Sequence, residues 1–201
     1  MLNRFTGQSP FDPWKNDKLM RSDSYERPGV LLGEMILEKD HHNRLSLFLA
    51  HWDYCDAPWP WRSYLAERLR YTLRHVSLAE YLSEEAREWF DSLPAEIEIY
   101  RGCQRYRERG LSWTVDIKVA EGFARGKRCR NSVPTLVSAL INKRHVFGVF
   151  IDRNESEIVV DPRRLRRLRL LEFHPEAIAI AQAAEVNERQ EELEDQISKG
   201  Y

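Results

Sequence analysis

From Val30 to Leu93, apolar residues recur at intervals of three and four. Leu32, Met35, Ile36, Leu45, Phe48 and Leu49 keep this spacing, interrupted by the polar run Lys39-Asp40-His41-His42-Asn43. Pro58 and Pro60 break the pattern, and Trp61, Tyr64, Leu65, Leu69 and Leu73 restore it. Such spacing places the apolar residues on one face of a helix. Ser77-Leu78-Ala79-Glu80 has the form of a capping box. It predicts a helix through Tyr81, Leu82, Ala86, Trp89 and Phe90, stopped by Pro94. Residues 1–29 are rich in Pro, Asp, Asn and Ser and lack a period. They read as an irregular lead-in packed by Phe5, Phe11 and Trp14.

The period changes at Ala95. Glu96, Ile97, Glu98 and Ile99 alternate, which predicts a half-buried strand ending at Tyr100-Arg101-Gly102. Gly110 to Thr114 is a second short strand, and Asp116 is placed to cap a helix holding Val119, Ala120, Phe123 and Ala124. Further strands are expected at Leu136–Ile141, Val146–Phe150 and Glu157–Val160, and another at Leu165–Leu171 interleaved with arginines. From Pro175 onward the pattern is that of a C-terminal helix, rich in alanine and then in charge.

Helices followed by strands indicate an α+β fold rather than an alternating α/β one. The expected organisation is a helical region over 1–94, a β core over 95–175 and a helix over 176–201. All three are expected to pack as one domain.

Composition narrows the function. The 201 residues carry 31 basic and 32 acidic side chains, a net charge of −1 that gives no global pull toward nucleic acid or membrane. No apolar run approaches the ~18 residues of a membrane span. The first ten residues lack the apolar stretch of a secretory signal. Cys55, Cys103 and Cys129 are odd in number and without C-x-x-C spacing. Neither a disulfide framework nor a zinc site is expected, and a reducing cytoplasm fits best.

Three short motifs can carry chemistry. Glu155-Ser156-Glu157 precedes Ile158-Val159-Val160. On a strand, residues i and i+2 share a face and lie ~6.6 Å apart, so two carboxylates would line one side of a cleft. Paired carboxylates suit an anomeric centre, where an oxocarbenium-like transition state develops positive charge. Arg101 ends its strand, where its planar fork can clamp a pyrophosphate, and Gly102 lets a flat ring approach the backbone. Ser112 and Thr114 would share one face of their strand, Trp113 the other. Taken singly, each motif also has a plain structural reading: an acidic strand edge, a surface arginine before a turn, hydroxyls facing water.

Together, and in this order, they are more specific. The segments "IYRG", "GLSWTVDIKVAEGFARG" and "DRNESEIVVDP" resemble the arginine–serine–glutamate class of mono-ADP-ribosyltransferases over roughly residues 95–165, about a third of the chain. The resemblance implies a split, strongly bent β-sandwich wrapped around NAD, with NAD as substrate and no metal. It implies that Arg101 contacts the phosphates and nicotinamide ribose, and that the Gly102 backbone holds the nicotinamide amide. Ser112 would position the catalytic Glu157, and Thr114 would support the strand. Glu157 would bind the ribose 2′-hydroxyl and stabilise the oxocarbenium ion, while Glu155 recognises and deprotonates the acceptor. Arg101, Gly102, Ser112, Trp113, Thr114 and Phe123 form the implied NAD-binding set. Nicotinamide departs from a cationic pyridinium, so no general acid is required.

Glutamate at position 155 implies arginine on a protein as the favoured acceptor. A toxin-like bacterial or phage effector is the setting the family suggests. Alternatives are a nucleic acid, which the run Arg163 to Arg169 would suit, or water, which would make the chain an NAD glycohydrolase. Without catalysis, the helical half would serve as a protein-binding module. The same arginines also read as charges that blunt an edge strand against aggregation.

Overall fold

The computed structural model describes residues 11–56, 58–126, 133–151 and 156–173. It is an α+β molecule with one six-stranded antiparallel sheet and helices against both of its faces. The C-terminal helix expected over 176–201, Phe5 and Glu155 lie outside the described residues.

Among the described residues, the N-terminal half holds five α-helices: α1 (Asp17–Arg21), α2 (Arg27–Leu37), α3 (His41–His51), α4 (Arg62–Thr72) and α5 (Glu84–Ser92). Asp40 ends the polar run and starts α3, its carboxylate accepting the Asn43 N–H at 2.9 Å. On α3, Leu45, Leu47, Phe48 and Leu49 are all buried, so this helix is enclosed by its neighbours. Leu31 and Met35 of α2, and Leu65 and Leu69 of α4, pack into the same cluster.

Two expectations about this half need correction. The lead-in is more ordered than its composition suggests. A 3-10 turn at Pro13–Lys15 and helix α1 precede α2, which already begins at Arg27. Side-chain caps make these short elements, because Asp12 and Asn16 accept backbone N–H groups that otherwise lack partners. Phe11 packs against the core as expected, and Trp14 packs on His51 and Tyr54. The second correction concerns the capping box. Leu78–Glu80 is only a 3-10 turn, and Ser77 caps nothing with its side chain. The chain leaves helical geometry so that Tyr81 can bond His42 and Leu82 can enter the core. The cap of α5 is Ser83, whose hydroxyl accepts the Ala86 N–H at 3.2 Å.

The strands are β1 (Glu96–Gln104), β2 (Ser112–Thr114), β3 (Pro134–Asn142), β4 (Val146–Phe150), β5 (Glu157–Val160) and β6 (Arg166–Leu171), ordered β4-β5-β2-β1-β3-β6. Alternation along β5 sorts the two faces. Val159 joins the cluster under α2, α3 and α4, while Ile158 and Val160 join a second cluster with Leu82 and Ala86 beside α5. The first cluster is continuous across both halves of the chain, since Phe147, Phe150 and Val159 meet Phe48 and Leu65 there.

Helix α6 (Ile117–Ala124) returns the chain from β2 toward β3, and Asp116 caps it by accepting the Lys118 N–H at 2.8 Å. It lies so close on β1 that a Cβ at Gly102 would fall 1.8 Å from the Ala120 carbonyl oxygen and 2.2 Å from the Ala124 nitrogen. Only glycine permits that approach. β1 runs beside β3 for nine residues, from Glu96 opposite Asn142 to Gln104 opposite Pro134. It meets β2 at a single register position, Tyr100 opposite Thr114. Past Tyr100 the two strands part.

Candidate active site

The parting of β1 and β2 opens a cleft of about 200 Å³. Arg101, Gly102, Ser112, Trp113, Thr114, Phe123 and Glu157 all border it, although the sequence separates them by up to 56 positions (157 − 101).

Glu157 is the first residue of β5. It sits opposite Thr114 on one side and Phe150 on the other. Behind it Ile158, Val159 and Val160 are fully buried, which fixes the backbone that carries the carboxylate. Its Oε1 accepts a hydrogen bond from the Trp52 indole N–H at 2.9 Å. Ser156, immediately before it, has a left-handed backbone with φ 43°. The extended strand therefore starts at Glu157.

Arg101 crosses the opening. Its Nη1 donates to the Ser112 carbonyl and its Nε donates to the Arg107 carbonyl at 3.3 Å. The guanidinium lies flat over Gly110, where an added Cβ would be 2.4 Å from its central carbon. A side chain at Gly110 would therefore displace the Arg101 guanidinium from this position. Arg101 is a bridge between β1 and the loop before β2, as well as a cation on the cleft wall.

Gly102 has a different reason for being glycine than a ring approaching from the cleft. Its missing side chain makes room for α6. Ser112 stands opposite Val159, and Thr114 is the residue directly across from Glu157. The Thr114 hydroxyl accepts the Asp116 N–H at 3.1 Å, tying β2 to the start of α6. Trp113 is a core residue. It is 2 % exposed, its indole N–H bonds the Gly110 carbonyl at 2.9 Å, and its ring belongs to the second core cluster. It borders the cleft from this buried position.

The opposite wall comes from the helical half, and none of its residues belongs to the sequence motifs. Tyr25, Trp52, Asp53, Cys55, Asp56, Trp59 and Arg62 line it. Three of the chain's six tryptophans fall between positions 52 and 61, a local density that could have signalled a surface for a flat ligand. Arg62 stacks 3.8 Å from the centre of the Trp59 ring, a cation–π contact that holds both side chains.

Burial, with the Asp56, Asp53 and Glu157 carboxylates adding to it, pushes the Cys55 thiol up to about 12, against the pull of Arg27. Burial also raises Cys103 and Tyr100. These thiols are neutral at physiological pH, so neither is an activated nucleophile. The cleft thus offers a carboxylate held by a neutral donor and a guanidinium braced across the split. Between them are aromatic side chains from both halves. Among the described residues, no group of three or more His, Cys, Asp or Glu is arranged to hold a metal ion, and no helix is long and apolar enough to cross a membrane.

No protein-family model, curated protein or solved structure matches this chain.

Proposed function

We propose that the chain is a mono-ADP-ribosyltransferase that cleaves NAD and transfers ADP-ribose to a macromolecular acceptor, with arginine on a protein favoured. One observation carries the reading. The arginine, the serine–threonine strand and the glutamate, three motifs chosen for this chemistry, border a single cleft where the central strands separate. That separation divides the sheet into β4-β5-β2 and β1-β3-β6, which supports a split, bent sandwich of the kind such enzymes use.

In this reading the pyrophosphate meets Arg101 through the N–H groups not already given to the Ser112 and Arg107 carbonyls. The nicotinamide end lies toward Glu157. The bond from the ribose anomeric carbon to the pyridinium nitrogen breaks, and its electron pair leaves with neutral nicotinamide. The Glu157 carboxylate stabilises the positive charge that develops on the ribose. An acceptor nucleophile then bonds the anomeric carbon and gives up its proton. Glu155 is the proposed base for that step.

The arginine run does not favour a nucleic-acid acceptor. Arg166, Arg167 and Arg169 lie on β6, Arg163 and Arg164 in the turn that follows β5, and none of these arginines lines the cleft.

The test is nicotinamide release from NAD by the purified protein, followed by transfer of labelled ADP-ribose into cell extract. Label is expected in protein and is expected to be removed by reagents that cleave arginine linkages. Glu157→Gln should lower kcat by about 10²–10³-fold with the fold intact. A protein that neither binds NAD by calorimetry nor releases nicotinamide overturns the proposal and favours a binding module.

A further inference from the structure

The glutamate of the cleft has a partner that none of the strand motifs contains. Trp52 follows the last residue of α3 and is 3 % exposed. Its ring packs against Phe48, with centroids 5.2 Å apart, in the cluster that also holds Leu111, Phe147, Phe150 and Val159. From that packed position its indole N–H points out of the core and reaches Glu157 Oε1 at 2.9 Å.

We infer that Trp52 is a positioning residue for the bond-breaking step, setting the orientation of the Glu157 carboxylate from the helical half of the molecule. The inference rests on the reading of Glu157 as the catalytic carboxylate. Three physical points carry it. An indole N–H only donates, so it is satisfied by a carboxylate oxygen and cannot exchange roles with it. The ring is locked by core packing, so the donor does not wander as a surface side chain would. The donor is also neutral. A lysine or arginine in its place would fix the carboxylate equally well but cancel the negative charge that a developing oxocarbenium ion needs. Ser112, to which the motif reading gives the positioning role, stands opposite Val159, two residues along from Glu157.

Trp52→Phe tests this, because it removes the N–H donor while keeping a smaller aromatic ring in the same packed position. With nicotinamide release as readout, kcat should fall by about 10- to 100-fold, as for loss of one hydrogen bond to a charged group. KM for NAD should stay within about twofold, because the donor acts through Glu157 and not on substrate. The acidic limb of the kcat profile should move to higher pH, since the ionised carboxylate loses a donor. A variant with wild-type kcat and an unmoved pH profile overturns the inference.

A second readout does not need activity. The indole ¹⁵N–H resonance of Trp52, assigned by its absence from Trp52→Phe, should titrate with pH in the native protein and stop titrating in Glu157→Gln. An indole signal indifferent to Glu157→Gln overturns the positioning contact even if Trp52→Phe folds poorly. If the signal titrates as expected but NAD is never cleaved, the contact stands and the enzymatic reading is what fails.

Discussion

The helical half, residues 11–93, and the sheet half, residues 96–171, build the cleft by different means. In the sheet half a position is set by its strand. Thr114 faces Glu157 because the two occupy one register step, and period two sends Ile158 and Val160 away from Val159. In the helical half single side chains do the work. Trp52 reaches Glu157 at the start of β5, and Arg70 of α4 reaches Asp161, just beyond its end, at 2.8 Å. The strand that carries the catalytic candidate is therefore held at both ends by helices. Side chains of one half thus orient residues of the other.

The comparison can be broken most severely at Gly102. If α6 is as close on β1 as described, Gly102→Ala drives a methyl group into backbone that cannot step aside. It should cost about 3 kcal/mol or more, read from urea unfolding midpoints. A variant as stable as the native protein would mean that α6 does not seat there. Next in size is the tie between the halves. Asp161→Ala strips the carboxylate from a partly buried Arg70, whose Nη2 already lacks a partner among the described residues. Since Arg70 keeps about a quarter of its surface in water, the expected cost is near the low end for a broken buried pair, about 2–3 kcal/mol. If the halves depend on this contact, fluorescence and circular dichroism should also cease to report a single unfolding transition. The smallest effect has the opposite sign. A Cβ on Gly33, inside α2, meets nothing within 4 Å. Gly33→Ala should stabilise the protein by about 0.5–1 kcal/mol, raising the midpoint of thermal unfolding. Destabilisation there would indicate that the exposed side of α2 is covered.

Legibility in the sequence followed the same division. β4 and β5 occur at their expected bounds because alternation and bordering turn residues identify a strand locally. Asp116 was recognisable as a cap for the same reason, since its partner is two residues away. Ser77 has the pattern of a cap but caps nothing with its side chain. It and Ser83 both precede residues suited to a first turn, and only the burial of Tyr81 and Leu82 decides between them. Arg101, Ser112 and Glu157 were found as types suited to one reaction, and the fold then brought them to one cleft. Trp52, Asp53, Asp56 and Trp59 were missed because nothing in a helical period says which distant strand a helix end will face. Gly102 was noticed, but its neighbour α6 is a fact of tertiary packing that no local pattern contains.

The span of the Trp52–Glu157 hydrogen bond bears on how the molecule assembles. Its partners are 105 residues apart, and those of the Arg70–Asp161 pair are 91 apart. Contacts of such separation reward folding only after a large loop has closed, and they slow it accordingly. A chain emerging from the ribosome can complete its early helices long before β5 exists. During that interval the indole of Trp52 has no carboxylate to meet, and α4 has no strand to hold. The cleft becomes whole only after Asp161 has been synthesised, so it forms in one late step rather than growing as the helices appear.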